Sequence, residues 1–201
     1  MNSEKKAPVL TENEFRRVVA TVRSHEQANR NVALLYFSAA LGLRAKEMSQ
    51  LLVRDVLTTD GQIKDEVLLT RATTKGRKQR LIYLTNKDVR KALAAYLDER
   101  RKTEAISLHP LSPLFKSRKG SSFSPNTMQM LFKRMYRWAG LDHASSHSGR
   151  RTFATSLIEK GVDIKAVSSL MGHSSVAMTA RYVEENPVRL RRICEEVQIG
   201  L

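Results

Sequence analysis

Leu170-Met171-Gly172-His173-Ser174-Ser175, followed by Val176-Ala177-Met178-Thr179-Ala180-Arg181-Tyr182, is the stretch on which the reading of this chain turns. Periodic apolar residues predict a helix over about 164–171, and Gly172 stands where a left-handed residue stops a helix. A further helix is predicted over 175–184. The imidazole of His173 therefore falls in a helix break, and the phenol of Tyr182 falls nine positions later in the next helix. A histidine after a helix-ending glycine is more often a cap or a surface group, so its meaning depends on the rest of the chain.

Upstream, His147-Ser148-Gly149-Arg150 opens a helix predicted over 148–160, and a spacing of three places His147 and Arg150 on one helical face. Ser124-Pro125 is an N-cap followed by proline at the first helical position, and Met128, Leu131, Phe132 and Met135 give that helix an apolar face up to Ala139 and Gly140. A Pro- and Ser-containing connection occupies 105–123. Before it, Thr85 with Asp88 is read as the cap of a helix carrying Val89, Leu93 and Leu97 to about Thr103. Val67-Leu68-Leu69 and Leu81-Ile82-Tyr83-Leu84 flank Lys75-Gly76-Arg77-Lys78, which reads as a β-hairpin with a basic tip. A buried helix over about 30–41 ends at Gly42, and a short helix near Arg44 carries Met48, Leu51 and Leu52. Thr11-Glu12-Asn13-Glu14 is a capping box for a first helix with Phe15, Val18, Val19 and Val22. Residues 1–10 are expected to be a flexible lead and 11–201 a single domain. The fold class is mainly α with one small antiparallel β-hairpin.

The chain has 201 residues, 35 Lys and Arg against 20 Asp and Glu, and a formal charge of +15. Such an excess points to a polyanion, with nucleic acid ahead of membrane because no basic amphipathic anchor is visible. One cysteine, Cys194, rules out an internal disulfide and a Cys-rich zinc site, so no metal and no cofactor is expected. The longest apolar run, Val32 to Leu43, is interrupted and too short to span a bilayer. A cytoplasmic protein, associated with the nucleoid when bound to DNA, is the expectation.

Attack on a DNA phosphate adds negative charge to its non-bridging oxygens, and arginine suits them because its planar fork stays charged at any working pH. Arg44, in Gly-Leu-Arg-Ala-Lys-Glu, and Arg150 are the candidates. A phenol with an unperturbed pKa of about 10 needs a neighbouring base to become a nucleophile. Of the five tyrosines, Tyr36, Tyr83, Tyr96 and Tyr136 have ordinary structural explanations.

The order Arg44, Lys75, His147, Arg150, His173, Tyr182, with its neighbouring glycines, resembles the catalytic domain of the tyrosine recombinases, the phage-integrase family, from about Leu10 to Tyr182 and a helical tail. The resemblance implies that Arg44 and Arg150 bind the scissile phosphate, that Glu47 supports Arg44, and that His147 is the general base. It further implies that His173 donates a hydrogen bond in the transition state, that Lys75 protonates the leaving 5′-oxygen, with Lys78 as its rival, and that Tyr182 forms a 3′-phosphotyrosyl intermediate. Arg151 stands where the family often has a second histidine, and Arg77, Lys78, Arg80 and Arg151 are expected to contact the DNA backbone. The stripe Leu190, Ile193, Cys194 and Val197 lies in a terminal segment, 188–197, that this family often docks into a neighbouring protomer. Double-stranded DNA, self-association from dimer to tetramer on it, and accessory DNA-bending proteins are the implied partners. Members of the family usually carry a further N-terminal domain, and a naturally short member is one reading of this length. A type IB topoisomerase-like enzyme and a non-catalytic DNA-binding accessory protein are the competing readings.

Overall fold

The computed structural model describes residues 7–70, 79–104, 108–182 and the isolated position 195. Its elements are α1 (Glu12–Arg23), α2 (Ala28–Leu41), α3 (Ala45–Gln50), α4 (Val53–Val56), β1 (Glu66–Leu69), β2 (Arg80–Tyr83), α5 (Lys87–Thr103), α6 (Pro125–Trp138), α7 (Ser146–Glu159), α8 (Ile164–Met171) and α9 (Val176–Ala180). The mainly helical reading with one two-stranded antiparallel sheet holds.

Helix α2 is the centre of the molecule. Val32, Ala33, Leu34, Leu35 and Phe37 are buried on successive sides of it, and it packs against α1, α3, α5 and α7. A helix that is apolar all round has to be enclosed in this way. Its end is fixed by Gly42, whose φ of 64° is the left-handed region. The capping box at α1 forms as read: the Thr11 N–H donates to Glu14 Oε2 at 2.8 Å, and the Glu14 N–H donates to Thr11 Oγ1 at 3.2 Å.

Three expectations are corrected. Asn86, not Thr85, caps α5, because its Oδ1 accepts from the N–H groups of Asp88 and Val89 at 2.9 and 3.1 Å, the second and third donors that a cap side chain reaches. Helix α9 is shorter than the predicted 175–184. The lead is not free as far as residue 10: Leu10 is buried, its N–H donates to Thr152 Oγ1 at 2.8 Å, and the Ala7 carbonyl accepts from Arg151 at 3.0 Å. An apolar side chain that finds a core site brings its backbone with it. The segment 188–197 and its stripe lie outside the described residues.

The hairpin pairs Val67 with Ile82 and Leu69 with Arg80 on its inner face, and Glu66 with Tyr83 and Leu68 with Leu81 on its outer face. The period of two therefore turns Arg80 into the protein. Helices α2 and α7 lie close together at Gly149, where a Cβ would lie 2.5 Å from Ser38 Oγ and 3.3 Å from the Ala39 backbone nitrogen. Among the described residues no helix is long and apolar enough to cross a membrane.

Gly149→Ala tests this contact. In an open helix the change adds roughly 0.5–1 kcal/mol of stability. Here overpacking should cost about 1–3 kcal/mol. Urea denaturation should show net destabilisation, and a variant more stable than the parent would contradict the close approach of α2 and α7.

Candidate active site

Two helix ends build the site. Helices α2 and α8 both stop at left-handed glycines, Gly42 at φ 64° and Gly172 at φ 59°. At the second, the His173 N–H donates to the Ser168 carbonyl and the Gly172 N–H to the Ser169 carbonyl, each at 3.0 Å, the paired bonds of a Schellman motif. The remaining carbonyls of these ends have no partner within their helices, and guanidinium groups take them. Arg150 donates to the carbonyls of Gly42 and Met171. Arg80 donates to the Leu170 carbonyl and, at 3.5 Å, to that of Gly42. Arg44 reaches the Gly172 carbonyl at 3.4 Å. Helix C-termini carry partial negative charge, so cations are favoured there.

Glu47 completes the cluster from the first turn of α3. Its Oε1 accepts from the Arg44 side chain at 2.8 Å, and its Oε2 accepts from the Arg44 N–H and from Arg80, both at 2.7 Å. Burial alone would raise this carboxyl's pKa, but Arg80, the Arg44 N–H, Arg150 and Arg44 together hold it below its ordinary value. One carboxylate against three guanidinium groups leaves the cluster positive. Burial first, then Arg44 and Arg80, lower the Arg150 pKa from its usual range, and the group still carries its charge at neutral pH. The Arg44 side chain is 18% exposed and Arg80's only 4%, so Arg44 is the arginine of the Glu47 pair that an outside ligand can reach.

His173 and Tyr182 close the site. Their rings stack at 5.7 Å between centroids with 10° between planes. The Tyr182 N–H donates to the Thr179 carbonyl at 2.9 Å, and the Tyr182 ring packs against a small cluster of Ala154, Ile158, Val167 and Met171. His173 Nδ1 lies 2.8 Å from Thr179 Oγ1. Burial, followed by the charges of Arg150, Arg44 and Arg80, pushes the imidazole down to about 4, against a partial offset from Glu47. The ring is therefore neutral at physiological pH.

Arg44, Glu47, Arg150, His173 and Tyr182 thus come together. His147 is exposed in the first turn of α7, its N–H on Ser145 Oγ at 3.3 Å, one turn before Arg150. Lys75, Arg77 and Lys78 lie outside the described residues. Two expectations for the DNA surface are corrected. Arg80 is buried on the inner face of β2 and serves Glu47 and the helix ends, because strand alternation directs it there. Arg151 is also buried, and it holds the Ala7 carbonyl at the base of the N-terminal lead. A further role that sequence reading missed is that of Gly172: a Cβ there would lie 2.4 Å from Arg80 Cδ, so the glycine makes room for that arginine as well as ending α8.

The other tyrosines differ. Tyr136 is fully buried and burial pushes its phenol up, while Tyr96 is buried with its hydroxyl accepting the Lys116 N–H at 3.2 Å. Tyr36 is half-buried beside Phe15. Tyr83 is 42% exposed on the outer face of β2 and lines the same cleft as His173.

The fold thus defines a mainly helical domain with guanidinium groups gathered at helix ends beside a stacked imidazole and phenol. The chain belongs to the Phage integrase family, whose sequence profile matches residues 8–189. It is 30% identical over 168 residues to tyrosine recombinase XerC of Pelobacter propionicus, covering 83% of this chain and 51% of that protein. It is 29% identical over 191 residues to tyrosine recombinase XerA of Thermococcus kodakarensis, covering 94% and 62%. The chain spans about half to two thirds of the length of these relatives. Among solved structures, XerA recombinase superposes with a TM-score of 0.74 at 26% identity, over 98% of this chain and 66% of that one. XerH site-specific recombinase shares the fold with a TM-score of 0.70 at 24% identity, over 100% and 57%.

The imidazole makes a direct prediction. Histidine-ring NMR of the protein, with His173→Gln to assign the signal, should show His173 neutral at pH 5.5, in keeping with a fall from the ordinary 6.5 to about 4. In this window the unfolded chain binds the extra proton, so the contribution to stability is complete above 6.5 and is lost as pH falls towards about 4. A ring that titrates near its ordinary value would contradict its burial among these cations.

Proposed function

We propose that the chain is the DNA-cleaving and rejoining domain of a site-specific recombinase, with Tyr182 as nucleophile. The observation that carries this is the stacking of the Tyr182 ring on a neutral His173 at the edge of the Arg44, Arg80, Arg150 and Glu47 cluster. A scissile phosphate set against Arg44 and Arg150 receives charge-assisted hydrogen bonds on its non-bridging oxygens, and these strengthen as negative charge grows in the transition state. His173 adds a hydrogen bond from its ring.

The Tyr182 phenol oxygen attacks phosphorus and passes its proton to His147, one turn before Arg150 on α7, in the general-base role that family membership implies. The bond from phosphorus to the 5′-oxygen breaks, and Lys75 gives that oxygen a proton. The products are a 3′-phosphotyrosyl protein and a free 5′-hydroxyl, and the same steps in reverse rejoin a strand. The energy of the phosphodiester is kept in the protein–DNA bond, so the exchange needs no nucleotide and no metal. Family membership and the likeness to XerC and XerA support this reading. Self-association on DNA and help from DNA-bending proteins belong to the same proposal.

The test is a duplex nicked next to the cleavage site, from which the short released strand diffuses away and traps the covalent complex. Wild type and Tyr83→Phe should give the trapped species, and Tyr182→Phe should give none; trapping by Tyr182→Phe would remove the nucleophile assignment. With about six phosphate contacts, duplex affinity should fall roughly a thousandfold between ~50 and ~200 mM salt. Binding that is indifferent to salt would contradict a phosphate-led interface. Strand exchange between two duplexes, as opposed to relaxation of one supercoiled circle, separates recombination from topoisomerase-like action.

A further inference from the structure

Thr179 is fully buried at the end of α9, in the turn that leads to Tyr182. Among the described residues the hydrogen-bond partner of its hydroxyl is His173 Nδ1, at 2.8 Å, and its carbonyl accepts the Tyr182 N–H at 2.9 Å. One residue therefore touches both members of the stacked pair.

A threonine hydroxyl has one hydrogen to give, and a neutral imidazole has one N–H and one bare nitrogen. If Nδ1 held the ring hydrogen, the threonine hydrogen would point into a dry interior without an acceptor, an arrangement proteins avoid. If the hydroxyl donates to Nδ1, both groups are satisfied and the ring hydrogen resides on Nε2. We infer that Thr179 is a positioning residue that fixes His173 in its Nε2–H form and ties that ring to the turn bearing the nucleophile. The consequence rests on the reading of His173 as a donor to the phosphate. With Nε2–H the free edge of the ring offers a hydrogen, whereas the opposite tautomer would present a lone pair to an anionic oxygen. The surroundings of the ring give the threonine its importance. Burial, and then the neighbouring arginines, keep the ring neutral, and a neutral ring has one proton to place, whereas a doubly protonated one would donate from both nitrogens whatever Thr179 did.

Two substitutions and one spectrum test this. Thr179→Val keeps the size of the side chain and removes the hydroxyl, and Thr179→Ser keeps the hydroxyl. Strand cleavage of the nicked duplex should fall about tenfold to a hundredfold in Thr179→Val, the scale on which a group that orients another's ring contributes. Thr179→Ser should restore most of the rate, and duplex affinity should be the same in all three proteins. Nitrogen-15 spectra of the histidine rings in the DNA-free protein should show His173 as Nε2–H in wild type and Thr179→Ser, and a shift towards Nδ1–H in Thr179→Val.

The inference is overturned if Thr179→Val cleaves at the wild-type rate, if its ring remains wholly Nε2–H, or if Thr179→Ser is as impaired as Thr179→Val. Should Thr179→Val fail to fold, the wild-type spectrum still decides, because an Nδ1–H ring there refutes the assignment. A wild-type chain that never forms a covalent DNA complex would defeat the proposed function while leaving the ring spectra to judge Thr179.

Discussion

A single buried carboxylate, that of Glu47, sits among Arg44, Arg80 and Arg150, and the geometry of the site depends on it. Three guanidinium groups confined to one interior would repel one another and lose their hydration, and burial of unpaired charge is among the costliest things a fold can do. Two features offset this. Glu47 accepts from Arg44 and Arg80, and the carboxyl ends of α2 and α8 aim the carbonyls of Gly42, Leu170, Met171 and Gly172 at the same three arginines. The helix ends need donors and the arginines need acceptors, so each need answers the other.

This mutual satisfaction explains how three cations are held together at one site. Arg80 and Arg150 are buried and donate to the helix-end carbonyls, while Arg44 stands at the opening with part of its guanidinium in solvent. An anion placed there meets donors already in position, so little reorganisation is needed as its charge changes. Burial, together with the same field, lowers the proton affinity of His173, which leaves a neutral ring beside Tyr182 in place of another competing cation. Left-handed Gly42 and Gly172 position the next residues, since Arg44 comes two residues after the first and His173 directly after the second.

Much of this was legible in the sequence because it rests on local rules. The stops at Gly42 and Gly172, the capping box at Thr11, the Ser124-Pro125 start and the hairpin follow from residue types at short range. Arg44, Glu47, Arg150, His173 and Tyr182 were legible as a set, although the helix ends that gather them were not. The misreadings share a cause. Leu81 and Ile82 are both apolar, so β2 gives no clear phase, and whether Arg80 faces inward depends on register against β1. Arg151 and Leu10 are explained by contacts across about 140 residues of chain, which no local pattern encodes. Thr179 carries no local signal of its own, because its partner, His173, is set by the fold of the turn between them.

Glu47→Gln tests the account most directly, since it preserves the shape of the side chain and removes the charge. Thermal unfolding and strand cleavage should be measured on the same preparation. Loss of one partner from a buried ionic cluster is expected to lower stability by about 3–5 kcal/mol, and cleavage should be lost with it. A variant as stable and as active as the parent would show that the arginines are held by something other than this carboxylate.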